Sequence, residues 1–198
     1  RPHAKPEPRP LRLAALGTIE PRKNYVAATA ILDELRALGH GGAELHIIGR
    51  AGWGEDAERI ATHDGVTVHG YLPAKHVKAL LEQADAYLCT SHDEGLGLPL
   101  LEAQYAGLPV VAPDAPVFRE VLGNSGTFID TADPKAAAAV IESLIQTQNW
   151  RELHSRAALD NVARWNGAAA NDLAAAKRMF ETRFDHAAQP AHMASGTS

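Results

Sequence analysis

The sequence predicts an α/β fold, a doubly wound and mainly parallel sheet of the Rossmann-like type, and three observations predict it. Short apolar runs alternate with helical patterns from Leu11 onward. Parallel neighbours need crossover connections, and helices supply them. The runs are apolar enough to be covered on both faces. Two of them end at a glycine, Gly17 and Gly49, before the next helical pattern.

Each element follows in order. "LRLAALG" (11–17) is the first strand, and a helix over 24–39 carries Val26, Ala30, Leu32, Leu35 and Leu38 at helical spacing. Asn24 is its expected side-chain cap and Gly39 its stop. "AELHIIG" (43–49) is the second strand, and a helix around 55–62 leads to the strand in "GVTVHGYL". A helix over 74–84, a buried strand over 85–90, a helix over 98–107 and a strand between prolines over 108–113 come next. A short helix near 116–122 precedes the last strand, "GTFID" (126–130), and helices are expected over 134–147, 149–164 and 168–183. The Pro-rich residues 1–10 read as a linker, 11–165 as the folded domain, 166–184 as a C-terminal helix and 185–198 as a disordered tail. With no initiating Met, the chain is expected to begin partway through a longer protein.

Composition narrows the function classes. The 198 residues are 45% hydrophobic, enough for a core, and 19 Lys plus Arg stand against 24 Asp plus Glu for a net charge of -5. No global basic field recruits nucleic acid or an acidic membrane, so an anion site must be local. The one cysteine, Cys89, can form neither an internal disulfide nor a multi-thiolate metal site, which fits a reducing compartment. No apolar run approaches the roughly 18 residues of a membrane span, and no signal-peptide core is present.

In such folds ligands bind beyond the carboxyl ends of the strands. That rule selects the loops "GTIEPRKN" (17–24), "GRAGWGED" (49–56) and "SHDEGLGLP" (91–99). In the third, Pro99 suits the first helical turn, while Gly95 and Gly97 let the backbone approach a ligand. Amides at that helix start, backed by the helix dipole, form an anion site. Glu94 lies before the helix and Glu102 about one turn inside, where a carboxylate can accept ribose hydroxyls; the alternative is that both acids only offset the dipole. Arg22 and Lys23 suit a diphosphate, or are a solvated basic pair. His63 and His69 flank a strand, and His92, beside Asp93 and Glu94, reads as a solvated loop residue, the alternative being that it polarises the site.

Taken together, "GTIEPRKN", "HIIGRAGWG", "VTVHGYLP", "ADAYLCTSHDEGLGLPLLEAQYAGLPVVAPD" and "VLGNSGTFID" resemble the C-terminal, donor-binding domain of the group 1 family of glycosyltransferases with the GT-B fold, over about residues 11–165. The resemblance implies a hexosyltransferase that binds a nucleotide-diphospho-sugar and transfers the sugar with retention. It implies that Arg22 and Lys23 hold the diphosphate, that Glu94 contacts the donor sugar near the reacting centre, and that Glu102 binds the ribose. Gly95, Leu96, Gly97 and Leu98 would offer amides or packing around sugar and phosphate. Gly17 and Thr18 would let the first loop pass close to the ligand, and Gly49 and Arg50 would lie near the nucleotide, with Arg50 alternatively a surface side chain. "EPRKN" is similar to the loop of bacterial mannosyltransferases that act on polysaccharide precursors, which points to GDP-mannose.

The resemblance further implies a partner, the N-terminal acceptor domain of the same protein, a glycan or lipid-linked acceptor, and a cytoplasmic location, including the inner membrane face with peripheral association. The isolated domain is then expected to be inactive. No metal or cofactor is expected, since no Asp-x-Asp pair is present. Leu96 stands where the family often has an aromatic, Gln104 where Met is frequent and Tyr105 where small residues are usual. A dinucleotide-dependent oxidoreductase is disfavoured, because the first loop has one glycine rather than G-x-G-x-x-G. A non-catalytic nucleotide-sugar-binding module is the alternative.

Overall fold

The computed structural model describes the backbone of residues 9–53 and 56–185, with side chains to Ala175. The expected linker falls outside it up to residue 8, and the expected tail from residue 186. Six strands, β1 (Arg12–Leu16), β2 (Glu44–Ile48), β3 (Val66–Val68), β4 (Ala86–Leu88), β5 (Val110–Pro113) and β6 (Gly126–Ile129), form one sheet in the order β3-β2-β1-β4-β5-β6. Every pairing is parallel. The helices are α1 (Tyr25–Ala37), α2 (Ala57–Ala61), α3 (Ala74–Gln83), α4 (Leu98–Tyr105), α5 (Pro116–Leu122), α6 (Pro134–Gln146) and α7 (Trp150–Asp185). Short 3-10 turns sit at Pro21–Lys23 and Gly123–Ser125.

Burial follows position in the sheet. β4 and β5 are buried at every residue, and β1 at all but Arg12. Edge strand β3 is half-buried or exposed throughout. One large core joins Leu13, Leu45, Ile47 and Leu88 of the sheet to Ile31, Leu32 and Leu35 of α1 and Ile141 of α6. Burying such an aliphatic side chain stabilises by roughly 1.5–3 kcal/mol, so this layer is the main source of stability.

At the amino ends of the strands, the Asp85 carboxylate gathers the chain. It accepts from both Arg9 guanidinium nitrogens at 3.1 and 2.6 Å, from the Arg12 amide at 2.9 Å and from Arg151 Nε at 2.8 Å. The segment before β1 and the start of α7 are thereby tied to the foot of β4.

Two expectations are corrected. Asn24 makes no side-chain cap; its backbone is left-handed (φ 48), and its carbonyl accepts the Ala27 amide to begin α1. Asparagine tolerates that conformation better than most residues. The helices expected over 149–164 and 168–183 are one 36-residue helix, α7. Gly167 lies in the gap between the two expected helices, but a single helical glycine costs only about 1 kcal/mol, three alanines follow it and no proline is nearby.

The chain divides into two compact units, and the boundary falls within α7. The first, Arg1–Val162, contains the whole sheet. The second, Ala163–Ser198, contains the rest of α7, where the Arg164 guanidinium lies 5.0 Å from the centre of the Trp165 ring.

Candidate functional site

The strand order reverses between β1 and β4, which are neighbours although β2 and β3 intervene in sequence. Crossovers therefore leave to opposite sides, and the loops after these two strands line a crevice at the carboxyl edge.

The β1 loop is built on close backbone contact with the β2 loop. The Gly17 amide donates to Ile48 O, the Ile19 amide to Arg50 O and the Trp53 amide to Ile19 O, at 3.0 to 3.1 Å. A Cβ on Gly49 would lie 2.0 Å from Gly17 O, so that glycine makes room for the first loop. Pro21 then opens the 3-10 turn that presents Arg22 and Lys23. The β4 loop clamps this turn: the His92 amide donates to Arg22 O at 2.9 Å and the Thr90 hydroxyl to Lys23 O at 3.0 Å.

The two loops meet in a charge cluster. Lys23 Nζ donates to Glu94 Oε1 at 2.6 Å and Ser91 Oγ donates to the same oxygen at 2.8 Å. Arg22 Nη1 reaches Glu94 Oε2 at 3.3 Å and Asp93 O at 3.0 Å, and Nη2 reaches Glu20 at 2.8 Å. Lys23 and Glu94 are 7% and 8% exposed. Gly17 gives Lys23 its path, because a Cβ there would meet Lys23 Cε at 2.7 Å. Burial alone would raise the Glu94 carboxyl pKa, but the hydrogen bonds from Lys23 and Ser91 and the charges of Lys23 and Arg22 outweigh it and hold the pKa below the usual glutamate value. Cys89, at the end of β4, is pushed the other way by burial and stays a thiol.

Next to the cluster, α4 begins at Gly97, which is left-handed (φ 61) and packs so closely that a Cβ would meet Leu100 and Val121 at 2.9 Å. The Leu100 and Leu101 amides both donate to Gly97 O, while Leu98 keeps a first-turn amide with no acceptor inside the helix. Around Gly95 a Cβ would meet nothing within 4 Å, so this backbone is open to approach. Leu96 and Leu98 are exposed. Glu102 is exposed on α4 and, among the described residues, has no side-chain partner. Thr18 is half-buried, and exposed Arg50 lies 6.0 Å from the centre of the Tyr71 ring. His92 is exposed, while His63 pairs with Asp33 and His69 with His46.

Arg22, Lys23 and Glu94 are thus brought together, and Glu102 stands apart from their hydrogen bonds. The sequence reading did not single out Ser91, Tyr25 or Tyr87. Ser91 stands three residues before Glu94, a Ser-x-x-Glu spacing that marks reciprocal side-chain contacts at helix starts and could have flagged it. The Tyr25 hydroxyl donates to Gly17 O at 3.2 Å, and the Tyr87 hydroxyl accepts the Leu16 amide at 3.3 Å; no local spacing signals either.

The fully parallel, helix-covered sheet, with a polar cluster at its switch point, is a Rossmann-like architecture. Residues 2–164 match the family described as Glycosyl transferases group 1, and the chain belongs to that family. It is similar to "O-antigen chain mannosyltransferase B" of Escherichia coli, at 32% identity over 143 residues, covering 70% of this chain and 38% of that relative's length. Among solved structures, the C-terminal domain of the group 1 family protein LpcC from Francisella tularensis superposes with a TM-score of 0.62 at 18% identity, over 78% of this chain and 85% of that one. A variant of S. aureus TarM in complex with UDP superposes with a TM-score of 0.68 at 20% identity, over 82% of this chain and 34% of that one.

Proposed function

We propose that this domain binds the donor of a retaining hexosyltransferase, a nucleotide-diphospho-sugar and specifically GDP-mannose, for transfer to a glycan or lipid-linked acceptor. The observation that carries the reading is the meeting of Arg22, Lys23 and Glu94 with the amino end of α4 at the sheet's switch point. The name of the mannosyltransferase relative supports the choice of sugar. Departure of a nucleoside diphosphate builds negative charge on phosphate oxygens, and preorganised cations and amides stabilise that charge most in the transition state. In this reading the diphosphate takes Arg22 and Lys23 from Glu94, and the Leu98 amide adds to the phosphate pocket. Glu94, freed at one oxygen, faces the donor sugar, and Glu102 accepts the ribose hydroxyls. No metal is needed for that chemistry.

The acceptor surface belongs to an N-terminal domain of the same protein, and the enzyme works in the cytoplasm, at the inner membrane face, by peripheral association. Among the described residues no helix is long and apolar enough to cross a membrane. The isolated domain binds donor and transfers nothing.

A second reading, a non-catalytic nucleotide-sugar-binding module, is favoured by one observation: in this structure Lys23 and Glu94 neutralise each other. The test is mannose transfer from GDP-mannose by the full-length protein, with and without acceptor, compared with a variant carrying Lys23→Ala and Glu94→Ala. Acceptor-dependent transfer that the double variant loses supports the enzyme. Transfer that survives both changes sinks the site assignment, and binding without transfer favours the module.

A further inference from the structure

A buried polar triad lies under α4, away from the charge cluster. Gln104 is fully buried (0% exposed) near the carboxyl end of that helix. Its Nε2 donates to Ser125 Oγ at 2.7 Å, and its Oε1 accepts from Asn161 Nδ2 at 2.6 Å. Ser125 Oγ in turn donates to Leu122 O at 2.6 Å, and Asn161 Nδ2 to Val121 O at 2.9 Å. One end of α4 is therefore bonded to α7 and to the turn after α5.

The other end rests on the same residue of α5. The side chain of Val121 packs 2.9 Å from where a Cβ on Gly97 would lie. An eight-residue helix is a rod of about 12 Å, so a tilt at Gln104 moves the backbone at Gly97. The triad fixes the tilt by directed hydrogen bonds, which a flexible apolar side chain in the same place does not supply.

We propose that Gln104, Ser125 and Asn161 form a positioning unit that sets the amino end of α4 against the phosphates of a bound nucleoside diphosphate. The proposal rests on the donor-site reading above. None of the three touches the ligand; they act through Val121 and Gly97. Gln104→Met keeps the volume and leaves Ser125 Oγ and Asn161 Nδ2 their backbone acceptors, Leu122 O and Val121 O, so this variant is expected to fold. Ser125→Ala, which removes the acceptor of Gln104 Nε2, is the second variant.

The test is calorimetric titration of the 198-residue chain and both variants with GDP, UDP and ADP and the matching monophosphates, alongside amide hydrogen exchange. A loosened fold weakens both kinds of ligand alike, whereas displaced α4 amides penalise the more highly charged one. For the nucleotide that binds, the variants lose about fivefold in diphosphate affinity and under about twofold in monophosphate affinity. Exchange rises at the Leu100 and Leu101 amides, which donate to Gly97 O, and not in β1 or β4. Unchanged diphosphate affinity in both variants, or equal losses on both ligands, overturns the positioning role while leaving the donor reading intact. A wild-type chain that binds none of the three diphosphates overturns the donor reading, and the positioning role with it.

Discussion

Glu94 is the residue on which the site's electrostatics turn. Its carboxyl pKa is held below the ordinary glutamate value, so the stability it contributes is complete above about pH 4.3 and is lost as pH falls through the lower, folded value. Glu94→Gln should flatten that acid limb of the stability profile in urea titrations and cost about 1–3 kcal/mol at pH 7, since Lys23 keeps an acceptor but loses its counter-charge. A wild-type limb that Glu94→Gln leaves unaltered would contradict the pairing. If a diphosphate takes the two cations, the carboxyl pKa rises on binding. Calorimetry near the glutamate pKa, in buffers of different ionisation enthalpy, should then show proton uptake that Glu94→Gln abolishes. Gly49 is the other sensitive position: a methyl there strikes the Gly17 carbonyl, and Gly49→Ala should cost about 1–3 kcal/mol in urea unfolding and displace the β1 loop. Much of this was legible one residue at a time. Arg22, Lys23 and Glu94 stand out as candidate ligand groups by type and by place in loops, but their mutual pairing spans about seventy positions and arises only when β4 crosses to lie beside β1.

At the scale of elements, the central strands were legible because burial on both faces makes β4, β5 and, after Arg12, β1 runs of buried residues. The edge strand β3 is only three residues long, which its apolar pattern could not bound. The two corrections share a cause. A polar or glycine residue marks where a helix could start or stop, and tertiary context decides whether it does; Asn24 starts α1 through its backbone, and Gly167 stops nothing. Asp85 shows the same limit, since its partners come from residue 9, β1 and α7. Its side chain is 1% exposed while those of Arg9 and Arg151 are 50% and 57% exposed. Asp85→Ala should therefore cost about 2–4 kcal/mol, and Arg9→Ala or Arg151→Ala under about 1 kcal/mol each, by chemical denaturation. Equal costs at all three positions would contradict the view that the buried carboxylate is the common anchor.

For the whole molecule, family membership and fold agree, and the chain covers 38% of the length of the O-antigen mannosyltransferase it resembles. With a net charge of -5 there is no global field to draw an anion in, so the proposed donor binding rests on the switch-point cluster and is sensitive to its single side chains. The measurement that tests this most directly is calorimetric titration of the chain and its Lys23→Ala variant with GDP, UDP and ADP. Saturable binding of one nucleotide, GDP on the mannose reading, lost or weakened at least about tenfold in the variant, is the predicted result. Binding of equal strength in both chains would place the phosphates elsewhere and contradict the assignment of this crevice.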